Sequence, residues 1–401
     1  MLKNFRMLFP IAFLAAVTLN ATLTISGWRA PGGVDENRNM AVFPEWSGSV
    51  TPYIRSIDAW LTDNFAFRKP LVEAFNSYLY EHFRSTLARN VVVGEGPWVF
   101  GADFDGQTTI APRTLKPDYL ERAKSALTER RDWLAARGIH MIVMFMPSKA
   151  TIYGNRYLPW YWHFDEKTPT QSEQVYADLG TEFQQNVVPL RQAMLAASKD
   201  TELYYRTDTH ATQYGTFIAY EQLAKHIETY FPEDAPSPYP DYDLLTDVLR
   251  PTAFGRLMGL PFQDFSLVPA PKGGAHFVGA EAPPAAALLP KGARLTFTAN
   301  ASVRNVRAVL IGDSFTNRMS NIFGEVFRES ATLNMNNVSN ERGDKFPAAF
   351  LDAYRPDFVV FMYVDSRIVE CRLECGEFPV TNPDGVAQAG KAARSIRSAS
   401  R

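Results

Sequence analysis

The chain has 401 residues, of which 46% are hydrophobic, and a formal net charge of −2, which is enough apolar material for one large core or two moderate ones. Basic residues are not concentrated in the body of the chain, so no nucleic-acid surface is expected. Two cysteines and six histidines without ligand spacing predict no structural or catalytic metal.

In chain order, Lys3 and Arg6 precede a mostly apolar stretch from Met7 to Ile25. It has the length and flanking charge of an export signal or a single membrane anchor with the rest of the chain sent across. No small-x-small cleavage site stands out, so residues 1–27 are read as an uncleaved anchor in preference to a removed signal. Gly27 to Trp46 reads as an extended connector. Thr51 to Arg84 carries Ile54, Ile57, Trp60 and Leu61 and, after Pro70, Leu71, Phe75, Tyr78 and Leu79 at helical spacing, which predicts two helices. Residues 28–90 thus form a connector with N-terminal helices.

Asn90 to Phe100 has the pattern of a strand, tight turn and strand. Pro117 to Arg137 predicts a helix capped by Gly138, and Ile139 to Met146 a strand buried on both faces. Gln171 to Ser198 predicts a helix broken or kinked at Pro189. Glu202 to Tyr205 reads as a strand leading into Asp208-Thr209-His210, and Gln213 to Tyr230 as the helix closing that unit. Phe231 to Asn300 is rich in Pro and Gly, and reads as an insertion of loops and short strands where substrate-specific features reside. The pattern resumes with a strand ending at Ile311, a helix from Asn317 to Phe327, a short strand from Ala331 to Met335 and a last strand from Asp357 to Tyr363. Alternating strands and helices imply an α/β fold with an open, mainly parallel sheet covered on both faces over residues 91–370. After Gly376 the composition is that of a disordered tail, so 371–401 is set apart. Cys371 and Cys375 are spaced for a local disulfide in an exported protein.

Ser314, in Gly312-Asp313-Ser314-Phe315, falls on a strand-to-helix turn that exposes its hydroxyl at the carboxyl edge of the sheet. Asp208 and His210, two apart, share one face if their segment is extended. A serine hydroxyl is a poor nucleophile until a neutral imidazole takes its proton, and the imidazole needs a carboxylate to fix its tautomer. Either tripeptide alone is weak evidence. Three complementary roles at two sheet-edge positions are what point to a catalytic Ser314, His210 and Asp208.

The pieces Glu36-Asn-Arg38, Asp63-Asn-Phe-Ala-Phe-Arg68, Val93-Gly-Glu-Gly-Pro-Trp-Val-Phe100, Met146-Pro-Ser-Lys-Ala-Thr-Ile152, Arg206-Thr-Asp-Thr-His210 and Ile311-Gly-Asp-Ser-Phe-Thr316 occur in an order that resembles the bacterial alginate O-acetyltransferase family, over roughly Asp35 to Glu370. The resemblance implies an SGNH-hydrolase-like three-layer sandwich with an N-terminal membrane anchor and the Pro/Gly-rich insertion. It also implies an acetyl-accepting Ser314, with His210 as base and Asp208 as its orienter, acting on an exopolysaccharide in the periplasm. The family places Asp-x-His before the serine, as here, whereas Ala211 stands where it usually has tryptophan. No nucleotide-binding fingerprint is present, so no cofactor is expected. The family implies a multispanning membrane acyltransferase as acetyl donor.

Asn317, Arg342 and Tyr363 are candidate oxyanion donors or acceptor contacts. Trp160 and Trp162 offer ring faces for sugar C–H groups, and Lys149 a cation for a uronate carboxylate. A carbohydrate acetylesterase with the same three residues, and a non-catalytic polysaccharide-binding subunit of a secretion complex, are the alternative readings.

Overall fold

A computed structural model describes residues 2–31, 39–88, 90–101, 103–104, 107–108, 114–161, 167–338 and 346–365. The chain opens with three helices, α1 (Leu2–Ile25), α2 (Val50–Asn64) and α3 (Arg68–Phe83). Within α1, Met7–Ile25 is long and apolar enough to cross a membrane, and almost none of it is buried in protein. Two antiparallel pairs follow, β1 (Val91–Val93) with β2 (Val99–Gly101) and β3 (Asp103–Phe104) with β4 (Gln107–Thr108). Then come α4 (Pro117–Ala135), β5 (His140–Met146), α5 (Lys149–Tyr157), α6 (Gln171–Leu179), β6 (Val187–Val188), α7 (Arg191–Ala197) and α8 (Gln213–Tyr230). The stretch 231–300 supplies β7 (Tyr242–Leu249), α9 (Ala253–Met258), β8 (Asp264–Pro271), β9 (Val278–Gly279) and β10 (Arg294–Ala299). The chain continues through β11 (Arg307–Gly312), α10 (Thr316–Val326), β12 (Glu329–Asn334), α11 (Ala348–Tyr354) and β13 (Phe358–Val364).

The main sheet has the order β6-β5-β13-β11-β12-β10-β9. β6, β5, β13, β11 and β12 pair in parallel, and β10 and β9 extend the edge antiparallel. The central strands are near-continuous apolar runs because both faces are covered. Along β13, Phe358, Val360 and Met362 point into one core with side chains of α5, α7, α8 and α10. Val359, Phe361 and Tyr363 point into a second core with α4, α6 and α11. The result is a three-layer α/β sandwich.

Two expected elements differ. The helix expected over Gln171 to Ser198 is cut after Leu179, where Gly180 takes φ 72°. Val187–Val188 then pairs with Val143 and Met144 as an edge strand. Helical propensity yields there to the hydrogen bonds of the open sheet edge. Glu202 to Tyr205 is not a sheet strand either. Tyr204 bridges Ala211, with Thr212 N donating to Leu203 O at 2.8 Å, and the intervening residues fold into a tight loop. The close passage under α8 needs Gly215, where a Cβ would lie 2.2 Å from the Leu203 carbonyl oxygen. Cys371, Cys375 and the tail after Gly376 lie outside the described residues.

Candidate functional site

β11 ends at Gly312 because the chain passes against β13: a Cβ there would sit 1.8 Å from the carbonyl oxygen of Met362. Asp313, buried, then builds the turn. Its carboxylate accepts from Phe315 N and from Val364 N, both at 2.9 Å. Its carbonyl accepts from Thr316 N and Thr316 Oγ1. Ser314 is left half-buried at the carboxyl edge of the sheet, one residue before the cap of α10. Asp313 therefore takes up the Phe315 and Thr316 amides at the start of α10. The Ser314 amide donates to no protein acceptor among the described residues.

The Asp208 loop reaches the same edge from the segment before α8. Asp208 Oδ1 accepts from the His210 amide at 3.0 Å, a side-chain-to-backbone turn that such residues favour. The same oxygen receives His210 Nδ1 at 2.7 Å, and His210 Nε2 lies 2.8 Å from Ser314 Oγ. A turn, and not a straight strand, thus brings the two side chains together. The Phe315 ring packs against the imidazole with centroids 5.1 Å apart.

The other Asp208 oxygen accepts from Ala253 N at 2.5 Å. Burial alone pushes the Asp208 carboxyl up. Hydrogen bonds from the His210 ring and amide and from the Ala253 amide overcome it and hold the carboxyl well below the usual range. With Asp208 ionised, the imidazole proton belongs on Nδ1 and Nε2 is free to accept from the serine.

Three further groups fix this loop. Lys149, buried at the start of α5, donates to the carbonyls of Val99 (2.5 Å), Arg206 (2.7 Å) and Asp208 (3.1 Å). Its Nζ lies between the rings of Trp98, Phe100 and Phe254, each just over 5 Å away. Burial pushes the ammonium down to about 7 against the pull of Asp264, Asp208 and Glu202. Asp264, on β8, accepts from Thr207 N (2.7 Å) and Thr207 Oγ1 (2.9 Å), and burial pushes its carboxyl up. Thr207 Oγ1 also bonds Thr252 Oγ1, which caps α9.

Of the residues singled out from sequence, Ser314, His210 and Asp208 converge. Lys149 lies beneath them, and its three N–H donors are spent on carbonyls. Asn317 is exposed in the first turn of α10. Its Oδ1 accepts from Asn334 Nδ2 at 3.1 Å, and its NH2 group meets no protein acceptor among the described residues. Trp160 is 86% exposed. Tyr363 is buried in the layer formed with α4, α6 and α11. Trp162 and Arg342 lie outside the described residues.

Asp313, Thr207, Thr252, Asp264 and Asn334 were not singled out. Only Asp313 and Thr207 carried a local signal, their places beside Ser314 and Asp208. A cleft of about 270 Å³ is lined by Gln213, Phe217, Tyr239, Asn321 and Ile322 and so borders the two helices that follow His210 and Ser314. Among the described residues no three His, Cys, Asp or Glu side chains converge as metal ligands.

Comparison with known proteins matches residues 91–356 to the family described as "SGNH hydrolase-like domain, acetyltransferase AlgX". The protein named "Probable alginate O-acetylase AlgJ" from Azotobacter vinelandii is 27% identical over 146 residues, 34% of each chain, so the match spans about a third of that relative's length. Among solved structures, PatB1 of Bacillus cereus is similar with a TM-score of 0.49 and 14% identity, over 69% of this chain and 96% of that one. The O-acetyltransferase domain of Pseudomonas putida AlgJ is similar with a TM-score of 0.45 and 15% identity, over 76% and 99%.

Proposed function

Because the chain belongs to the SGNH-hydrolase-like AlgX acetyltransferase family, we propose that it is an O-acetyltransferase that moves an acetyl group through Ser314 onto a hydroxyl of a bacterial exopolysaccharide. The observation that carries the reading is the relay itself: serine oxygen to imidazole at 2.8 Å, imidazole to carboxylate at 2.7 Å, with the carboxylate held ionised. The name of the AlgJ relative supports a polysaccharide acceptor.

In the first half-reaction His210 Nε2 takes the Ser314 proton as Oγ bonds to the acetyl carbon of an ester or thioester. The Asp208 carboxylate stabilises the imidazolium. The Ser314 amide and the Asn317 NH2 group, neither of which meets a protein acceptor among the described residues, are suited to hold the tetrahedral oxyanion. The donor's ester bond breaks, and its leaving group takes the proton from His210. In the second half a sugar hydroxyl gives its proton to His210 and bonds to the acetyl carbon. The Oγ–carbon bond breaks and Ser314 recovers the proton.

The acceptor is assigned to the cleft lined by Gln213, Phe217, Tyr239 and Asn321, with Trp160 and Trp162 offering further ring faces. A multispanning membrane acyltransferase is assigned as the donor, in place of acetyl-CoA bound by this chain. α1 is assigned as an anchor in the inner membrane, with the body in the periplasm.

The test incubates the purified full chain with an acetylated chromogenic ester, with and without an oligouronide. Acetylated sugar, acetyl found on Ser314 by mass spectrometry and loss of both in Ser314→Ala are expected. Hydrolysis unchanged by the sugar, with no sugar product, means an esterase. Intact polymer acetylation in cells carrying Ser314→Ala means a non-catalytic subunit.

A further inference from the structure

The helices that follow α1 present an apolar face that the other described residues do not cover. On α2, Ile54 and Leu61 belong to one stripe, and on α3, Leu71, Phe75 and Tyr78 belong to another, at the spacing of one helix face. All five are exposed, as is Trp46 in the connector. No residue of either helix is buried, although both sequences are patterned as if to pack. The connector runs along α2: Asp63 Oδ2 accepts from Ala41 N, Asn64 Nδ2 donates to Ala41 O, and Trp46 meets Tyr53 edge-on with centroids 5.1 Å apart.

The end of α1 fixes where this face lies. Met7–Ile25 has 19 residues, which at about 1.5 Å per residue is about 28 Å, close to the thickness of a bilayer's hydrocarbon core. A span that uses its whole length leaves Thr24 at the hydrocarbon boundary. The corner between α2 and α3 is tied to that residue: Ala66 N donates to Thr24 Oγ1 at 2.9 Å, and Ala30 N donates to Ala66 O at 2.8 Å. The Trp28 and Phe67 rings meet edge-on there. Both helices therefore radiate from a point at the headgroup level, the depth that Trp and Tyr rings favour.

We propose that α2, α3 and the connector lie on the outer face of the bilayer that α1 crosses, with the Ile54–Leu61 and Leu71–Phe75–Tyr78 stripes in the boundary between headgroups and acyl chains. The proposal rests on α1 being a membrane anchor. Lipid is favoured over a second copy of the chain because the corner joining the two helices is bonded to the residue at which the span leaves the hydrocarbon, with the Trp28 ring, partly exposed, beside it. The opposite face of α3 grips the body. Asn76 Nδ2 donates to Met258 O at 2.6 Å, and Tyr80 packs on Phe262. Met258 ends α9, whose first residue, Ala253, donates its amide to Asp208. The membrane base would thereby set the height and tilt of the reacting groups over the bilayer.

The test uses the full chain in vesicles of phosphatidylethanolamine and phosphatidylglycerol. A fluorophore is placed on Phe75→Cys, or on Tyr78→Cys should the first variant fold poorly, in a Cys371→Ser, Cys375→Ser background. Glu129→Cys on α4 carries the control. Bromine-bearing acyl chains are expected to quench the α3 label several-fold more than the control, with aqueous iodide giving the reverse order. Equal iodide quenching at both positions overturns the proposal, because the face is then in water. A label shielded from both quenchers also overturns it, because protein then covers the face. Release of the chain by an alkaline carbonate wash marks instead a failure of the anchor reading.

Discussion

Replacing Lys149 with Met keeps much of the side chain's volume and removes one buried cation with its three donors. The carbonyls of Val99 and Asp208 lose their partner, at about 1–3 kcal/mol for each buried acceptor left unmade, while the Arg206 carbonyl keeps the Val99 amide. Against this, the ammonium is itself costly where it sits. Its shift from 10.5 to about 7 corresponds to about 5 kcal/mol against the charged form. The two effects largely offset, so the variant is expected to fold with a stability change within about 3 kcal/mol of wild type. Activity is expected to behave differently. The Asp208 carbonyl is freed, the loop carrying His210 relaxes, and a displacement of about 1 Å at a reacting group costs on the order of 100-fold in kcat. The unfolded lysine keeps its proton up to about 10.5 and the folded one releases it near 7. The unfolded state therefore binds more protons between those values, and wild-type stability gains up to about 1.4 kcal/mol per pH unit from this group across that window. Lys149→Met lacks that gain. Denaturant melts from pH 6 to 10, read beside kcat for ester turnover, check both statements. A variant with full kcat at every pH would refute the clamp. A rise in the acceptor's KM alone would return Lys149 to the substrate.

Asp208→Asn puts an NH2 group against either His210 or the Ala253 amide and removes the charge that fixes the imidazole proton on Nδ1; kcat for acetyl-enzyme formation is expected to fall by about 10³–10⁴-fold with the fold intact by circular dichroism. Asp313→Ala strips the buried amides of Phe315 and Val364 of their acceptor, an expected loss of about 2–6 kcal/mol in denaturant melts together with ester turnover. Asp365, buried after β13, accepts from Ser172 N at 2.8 Å, and burial pushes its carboxyl up to about 6 from 3.8. The folded state then binds more protons between those values, so this group's contribution falls as pH rises through them and is lower by about 3 kcal/mol above 6. Asp365→Asn is expected to match wild type near pH 4 and to melt higher at pH 7.5.

The parts of this molecule that sequence shows are those whose cause is local. β5, β11 and β13 are legible because a strand covered on both faces must be apolar throughout. α8 is legible from Gln213 to Tyr230 because one stripe of it feeds one core. Ser314, His210 and Asp208 are legible because nucleophile, base and carboxylate are few among residue types. Elements decided by partners are not. β6 is two residues of a sequence that otherwise favours helix, and it is a strand only because the edge of β5 is open. β10 lies in a Pro- and Gly-rich stretch and joins the sheet only because β12 offers an edge. Lys149 reads in the sequence as a cation for a uronate carboxylate, and nothing near it there announces three carbonyls from two distant segments.

The same distinction explains how the site is held. Every group assigned to the proposed reaction is carried by a short motif, yet almost every group that aims one comes from elsewhere in the chain. Asp208 is set by Ala253 from α9 and by Lys149 from α5. Thr207 is set by Asp264 from β8, and Asp313 by Val364 at the end of β13. The stretch 231–300 is thus more than a decoration on the sheet, since two of its elements, α9 and β8, hold the loop that orients the imidazole. A loop of six residues between Tyr204 and Ala211 has too few contacts of its own to keep one conformation against the entropy of its backbone, about 1–2 kcal/mol per residue. Buried donors and acceptors supplied from outside make up the difference. Changes in that stretch are therefore expected to reach the chemistry through Asp208, without touching either Ser314 or His210.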